Sequence, residues 1–200
     1  GPLLEALARE DWEVLRARRE ELRVVAVGGW AEAEPDLAQL LDRHAPLISA
    51  VTRSAGIAGS PAPLLAGMGS STPRPGYEKL ELVTFLHAAQ ARRVAAEGHQ
   101  EEALQRFMEL AALGTRFTLP QDQSTLTHHL IGLSALEIAT NGLLEVLGSH
   151  ALEQRTLERL DRQLAQIEQH HVPIREGLRA EAAIYSEIMT GRAGDEQKLA

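Results

Sequence analysis

Residues 126–147 constrain this chain more than any other segment. Between Leu126 and Leu147 only Glu137 and Glu145 are formally charged, which makes the segment too long for a strand and unusually apolar for a surface helix. Gly132, Ala135, Ala139 and Gly142 recur along it at three- and four-residue spacings, a stripe that lets a second helix backbone come close. These features predict a helix at the centre of the fold, buried on most sides. A membrane span is the weaker reading. Each Glu costs about 2.5–3.5 kcal/mol at the middle of a span, and His128, His129 and Asn141 add to that.

Helical spacing governs most of the remaining chain. Leu4, Leu7, Trp12, Leu15, Leu22 and Val25 predict an amphipathic helix over 3–26, ended by Gly28-Gly29. A second helix enters at Glu34-Pro35, carries Leu37, Leu40, Leu41, Leu47 and Ile48, and is bent or broken at Pro46. Further helices are expected near 77–97, 99–116, 123–148, 151–171 and 174–191. Leu157, Leu160, Leu164, Ile167 and His171, answered by Ile174, Leu178, Ala182, Tyr185 and Ile188, predict that the last two close on each other as an antiparallel hairpin. About seven helices without an alternating strand give an all-α fold, a helical-hairpin bundle.

Five Gly and four Pro within 55–76 predict a long Gly/Pro/Ser-rich loop. The organisation follows: an N-terminal helical pair over 3–56, a loop or linker over 57–76, a bundle over 77–191 packed with the pair as one domain, and a flexible tail over 192–200. Gly1-Pro2 in place of an initiator Met reads as a tag-cleavage scar, so a leader or anchor upstream of residue 3 stays compatible with the sequence.

The charge balance narrows the function classes. Net charge is −8, and Lys79 and Lys198 are the only lysines, which disfavours generic binding to nucleic acid. The absence of Cys removes disulfide scaffolds, thiolate metal sites and thiol nucleophiles. Gly67-Met68-Gly69-Ser70-Ser71 lacks a nucleophile elbow, and no Gly-rich phosphate loop with a Lys exists. Catalytic residues and cofactors are therefore not expected. Arg16, Arg18, Arg19 and Arg23 lie among Glu20 and Glu21 and read as a solvated, salt-bridged face, with Arg92-Arg93 read in the same way.

The run from Ala95 to Leu110 resembles the turn and second helix of a tetratricopeptide repeat. Gly98 stands where the family closes its first helix, Ala103 where a small residue lets the helices approach, and Phe107 where an aromatic fills the gap between repeats. Upstream, His87 and Gln90-Ala91 replace the aromatic and the Leu-Gly pair of the family. The resemblance implies a scaffold that binds a peptide or protein partner. More loosely, the Gly98–Leu110 hairpin, the Ser124-Thr125 helix start and Leu178-Arg179-Ala180-Glu181 are similar to bacterial helical proteins of unknown function that follow an N-terminal membrane anchor. That likeness favours an extracytoplasmic, membrane-tethered location over a cytoplasmic one.

Three groups of residues could carry function. Glu168 and His171 are spaced as one half of a carboxylate-bundle metal site, and Glu137 and His128 are the remaining candidate ligands. Trp30, and Leu64, Leu65 and Met68 within the loop, are the candidate partner anchors. The regular seam of the last two helices could pair with a second copy of the chain. The leading expectation is a non-catalytic scaffold or adaptor binding a protein or peptide partner; the alternative is a bundle binding a metal or small ligand.

Overall fold

The computed structural model describes residues 10–55, 75–118, 126–149, 152–170, 172–179, 181–183 and 186, without the side chains of 51, 52, 54, 55, 75 and 76. Among them the regular structure is helical: α1 (Trp12–Ala17), α2 (Arg19–Gly28), α3 (Leu37–Arg43), α4 (Ala45–Ala55), α5 (Pro75–Ala96), α6 (Gln100–Thr118), α7 (Leu126–Ser149) and α8 (Gln154–His170), with a short 3₁₀ turn at Trp30–Glu32. Helical backbone resumes over 174–179 and 181–183. The fold is all-α.

Local chemistry explains where elements start and stop. The helix expected over 3–26 is split at Arg18, whose φ of −102° and ψ of 11° interrupt it between α1 and α2. The second predicted helix breaks at His44, two residues before Pro46, whose missing N–H cannot continue the hydrogen-bond ladder back to Asp42. Pro75 opens α5, the position where its missing N–H costs nothing. Gly98, at φ +87°, ends that helix in a Schellman closure. Its N–H donates to the Ala95 carbonyl oxygen at 3.0 Å and the N–H of His99 to that of Val94 at 3.1 Å.

α6 occupies the centre and packs against α4, α5, α7 and α8. Eleven of its 19 residues are buried, against eight of 24 in α7. The expectation that α7 would be central is therefore corrected. Its apolar composition is divided between a face packed on α6 and a face left open.

The packed face is the small-residue stripe. Gly114 and Gly132 meet backbone to backbone, so that a Cβ on Gly132 would lie 2.6 Å from the Gly114 carbonyl oxygen. Ten residues further along α7, about three turns of helix, the Phe107 ring fills the space over Gly142, where an added Cβ would lie 2.3 Å from the ring. The register, Gly114 on Gly132 and Phe107 on Gly142, makes α6 and α7 antiparallel.

The N-terminal helices share this core. Leu15, Leu22, Val25, Leu37, Leu41 and Leu47 join Leu82, Leu86, Leu110, Leu113 and Ala139 in one apolar cluster. α2 runs parallel to α5, fixed by Arg19 on Glu81 at 2.7 Å and by Arg92 on the carbonyl oxygens of Ala26 and Val27. The basic face of the first helices is salt-bridged, as its interleaved acids imply: Arg16 to Glu13 and Glu78, Arg18 to Glu21 and Asp36, Arg23 to Glu20.

Among the described residues the predicted closure of the last two helices on each other is not seen; His171, Tyr185 and Ile188 of that seam lie outside them. Leu157, Leu164, Ile174 and Leu178 all stay about half exposed, while Leu160 is buried with Phe107 and Val146. Gly177 instead lies against His129, where an added Cβ would stand 3.1 Å from that ring. Glu181 accepts from the backbone N–H of Leu126 at 2.9 Å, a carboxylate at the positive end of α7. The unpaired N–H at that helix start and the gap over His129 draw the segment there.

Candidate functional site

The residues singled out from sequence do not gather in one place. His128 and Glu137 lie nine positions apart on α7, which puts them on opposite faces and roughly 13 Å apart along the axis. They cannot share an ion. Glu168 is exposed on α8, and His171 lies outside the described residues. His128 packs edge-on against Tyr77, with ring centroids 4.6 Å apart. Burial pushes its pKa down to about 4, with the charge of Glu181 opposing the shift. Trp30 is half-buried against the core, and Leu64, Leu65 and Met68 lie outside the described residues.

Among the described residues, Glu21, Glu34 and Asp36 are the one group of three carboxylates or histidines within coordinating reach of one another. Arg18 occupies that cluster. It pairs with Asp36 through two nitrogens, at 2.8 and 2.9 Å, and also with Glu21. A guanidinium already neutralises the carboxylates that a cation would need.

Arg92 corrects a further expectation. It is 3% exposed, not on a solvated face. Its guanidinium donates to the carbonyl oxygens of Ala26 at 3.3 Å and Val27 at 3.4 Å, pairs with Glu145, and lies 5.4 Å from the centre of the Phe107 ring. Three helices meet on this one side chain, which satisfies carbonyls at the C-terminal end of α2. Glu145, one of the charges that makes α7 unsuited to a membrane, is thereby held inside the protein's own ion pair.

Above this anchor lies a continuous groove between α5 and α7. Its lower part, about 210 Å³, is lined by Glu81, Thr84, Phe85, Thr127, Leu130, Ile131 and Ser134. Its upper part, about 170 Å³, runs on past the same Phe85 and Ser134 to Ile138, Asn141, Arg92, Glu137 and the end of α2 at Arg23 and Val27. Each part is smaller than the roughly 300–1,000 Å³ of a small-molecule pocket, and together they form an open trough.

Along the trough α7 presents Leu130, Ser134, Glu137 and Asn141, and Leu144 continues the same face just beyond it, the five spaced four, three, four and three residues apart. That is the spacing of a coiled-coil seam. Leu130 is 49% exposed and Leu144 62%, with Val27 at 56% across the groove. Sequence reasoning missed this face although its heptad spacing is legible, because the apolar run around it read as buried on most sides.

α7 is long and apolar enough to cross a membrane by length and composition, with a mean hydropathy of 1.5 over its most apolar window. Its small-residue face is nevertheless occupied by α6 and Glu145 by Arg92. Comparison of the chain with protein-family models, curated proteins and solved structures gives no match. Function therefore has to be read from the residues themselves.

Proposed function

We propose that this protein is a non-catalytic helical scaffold that binds a protein or peptide partner, with the trough between α5 and α7 as its docking surface. The observation that carries the reading is the exposure of Leu130 and Leu144, two heptads apart on one face of α7, along a trough also lined by Phe85 and Val27. Large apolar side chains aligned at that spacing are the anchors of helix-in-groove recognition. The tetratricopeptide-like hairpin of Gly98, Ala103 and Phe107 supports a scaffold in the same sense. Phe107 wedges under Gly142 and so props the helix that bears the face.

A photo-crosslinking amino acid placed at Ser134, in the natural full-length protein in its own cells, tests this. The reading predicts a defined partner joined at Ser134, absent when the same group is placed at exposed Arg155 on α8 and abolished by Leu130→Asp. Equal crosslinking at the two positions, or crosslinking indifferent to Leu130→Asp, contradicts it.

A further inference from the structure

The trough carries a statement about the chemistry of its occupant, which rests on the docking reading above. Glu137 sits at the middle of the exposed stripe, seven residues from Leu130 and seven from Leu144. The other charges of the trough are already neutralised: Glu81 by Arg19, Arg23 by Glu20, Arg92 by Glu145. Glu137 has no ion pair or hydrogen bond among the described residues, and it is exposed. A partner that covered Leu130 and Leu144 together would span about 21 Å of α7 and would have to bury this carboxylate between them.

We propose that the occupant is an amphipathic helix carrying one Lys or Arg midway between two apolar residues, each one heptad away, so that the cation meets Glu137 while the apolar residues seat against Leu130 and Leu144. A carboxylate taken out of water needs a partner charge. A helix with a neutral residue there leaves it unpaired, and a helix with an acid opposes it.

The same position selects against a second copy of this chain. A two-fold antiparallel pairing that sets Leu130 on the partner's Leu144 passes its axis through Glu137, and a parallel pairing in register sets Glu137 beside its own copy. Either way two carboxylates meet at the centre of the seam. Glu137 thus admits a basic helix and refuses self-association, which exposed leucines at this spacing invite.

Three helix-stapled peptides serve as probes, each of about 21 residues, with Leu seven residues to either side of a central Arg, Ala or Glu. Binding is followed by fluorescence anisotropy, and contacts by the amide shifts of Leu130 and Leu144. The Arg peptide should bind at least about tenfold tighter than the Ala peptide and the Glu peptide weakest, with Glu137→Lys inverting that order. Sedimentation of the free protein should give a monomer for the wild type and a dimer for Glu137→Leu, with Leu144→Ala added to Glu137→Leu restoring the monomer.

Glu137 is exposed on a helix, so circular dichroism of these variants should match the wild type. Arg and Glu peptides that bind equally at Leu130 and Leu144 would overturn the charge selection and leave the docking reading standing. No shift at either leucine with any peptide at about 1 mM would overturn both. A wild-type dimer as tight as that of Glu137→Leu would overturn the selection against self-pairing.

Discussion

His87 lies wholly within the contact between α5 and α6. Its Nε2 hydrogen-bonds the Arg106 carbonyl oxygen at 3.0 Å and stands 3.8 Å from a Glu109 carboxylate oxygen, while Nδ1 is buried without a partner among the described residues. Burial pushes its pKa down from 6.5 to about 4, the bond to the Arg106 carbonyl opposing the shift and the Arg106 charge adding to it. The folded chain therefore keeps His87 neutral in a range where the unfolded chain takes up a proton. Stability from this group is full above pH 6.5 and is lost as pH falls toward about 4, a change of about 3 kcal/mol. His128 titrates in the same window, so a comparison isolates the share of His87. His87→Gln keeps a donor for the Arg106 carbonyl and cannot titrate. Urea unfolding at neutral pH and near pH 4.5 should show a smaller loss of stability for this variant than for the wild type. Equal losses would contradict the assignment.

At the scale of elements, the approach of α6 to α7 is the most demanding contact in the fold. Gly114→Ala places a methyl 2.7 Å from the Gly132 carbonyl oxygen, and Gly132→Ala one 2.6 Å from that of Gly114. Backbone cannot swing aside as a flexible side chain can, so each substitution should cost about 1–3 kcal/mol or more. Gly148→Ala, on the same helix and with nothing within 4 Å of the added carbon, should instead gain roughly 0.5–1 kcal/mol from helix propensity. Thermal unfolding of the three variants checks the ordering, and a neutral Gly132→Ala would refute the close approach.

This contact was legible in the sequence, because Gly132, Ala135, Ala139 and Gly142 share a face whatever the helix packs against. The Gly98 closure and the salt-bridged arginines of α1 and α2 were legible for a similar reason: each follows from residues a few positions apart. What sequence could not supply was which face of an apolar helix stays open. Leu130 and Leu143 look alike in the chain, and only the position of α6 buries Leu143 and leaves Leu130 in the trough. Arg92 was misread likewise, since its partners Ala26, Val27 and Glu145 lie more than 50 positions away in either direction. The seam of α8 failed for a competing reason: the start of α7 and the space over His129 offer the last segment more than Leu157 and Leu164 do.

For the whole molecule, one apolar cluster ties α2, α3, α5, α6 and α7 together, and Arg92 pins α2 and α7 to α5. The trough is thus built from elements that brace one another. A partner would meet a preformed surface, with little ordering cost beyond its own. The central claim is that the Leu130–Leu144 face is open to solvent in the isolated chain, and a soluble gadolinium chelate tests it most directly through the relaxation of assigned leucine methyls. Leu130 and Leu144 should relax strongly and Leu104, Leu113 and Leu143 hardly at all, whereas protection of Leu130 and Leu144 at the level of Leu113 would mean that the face is already covered and would contradict the account.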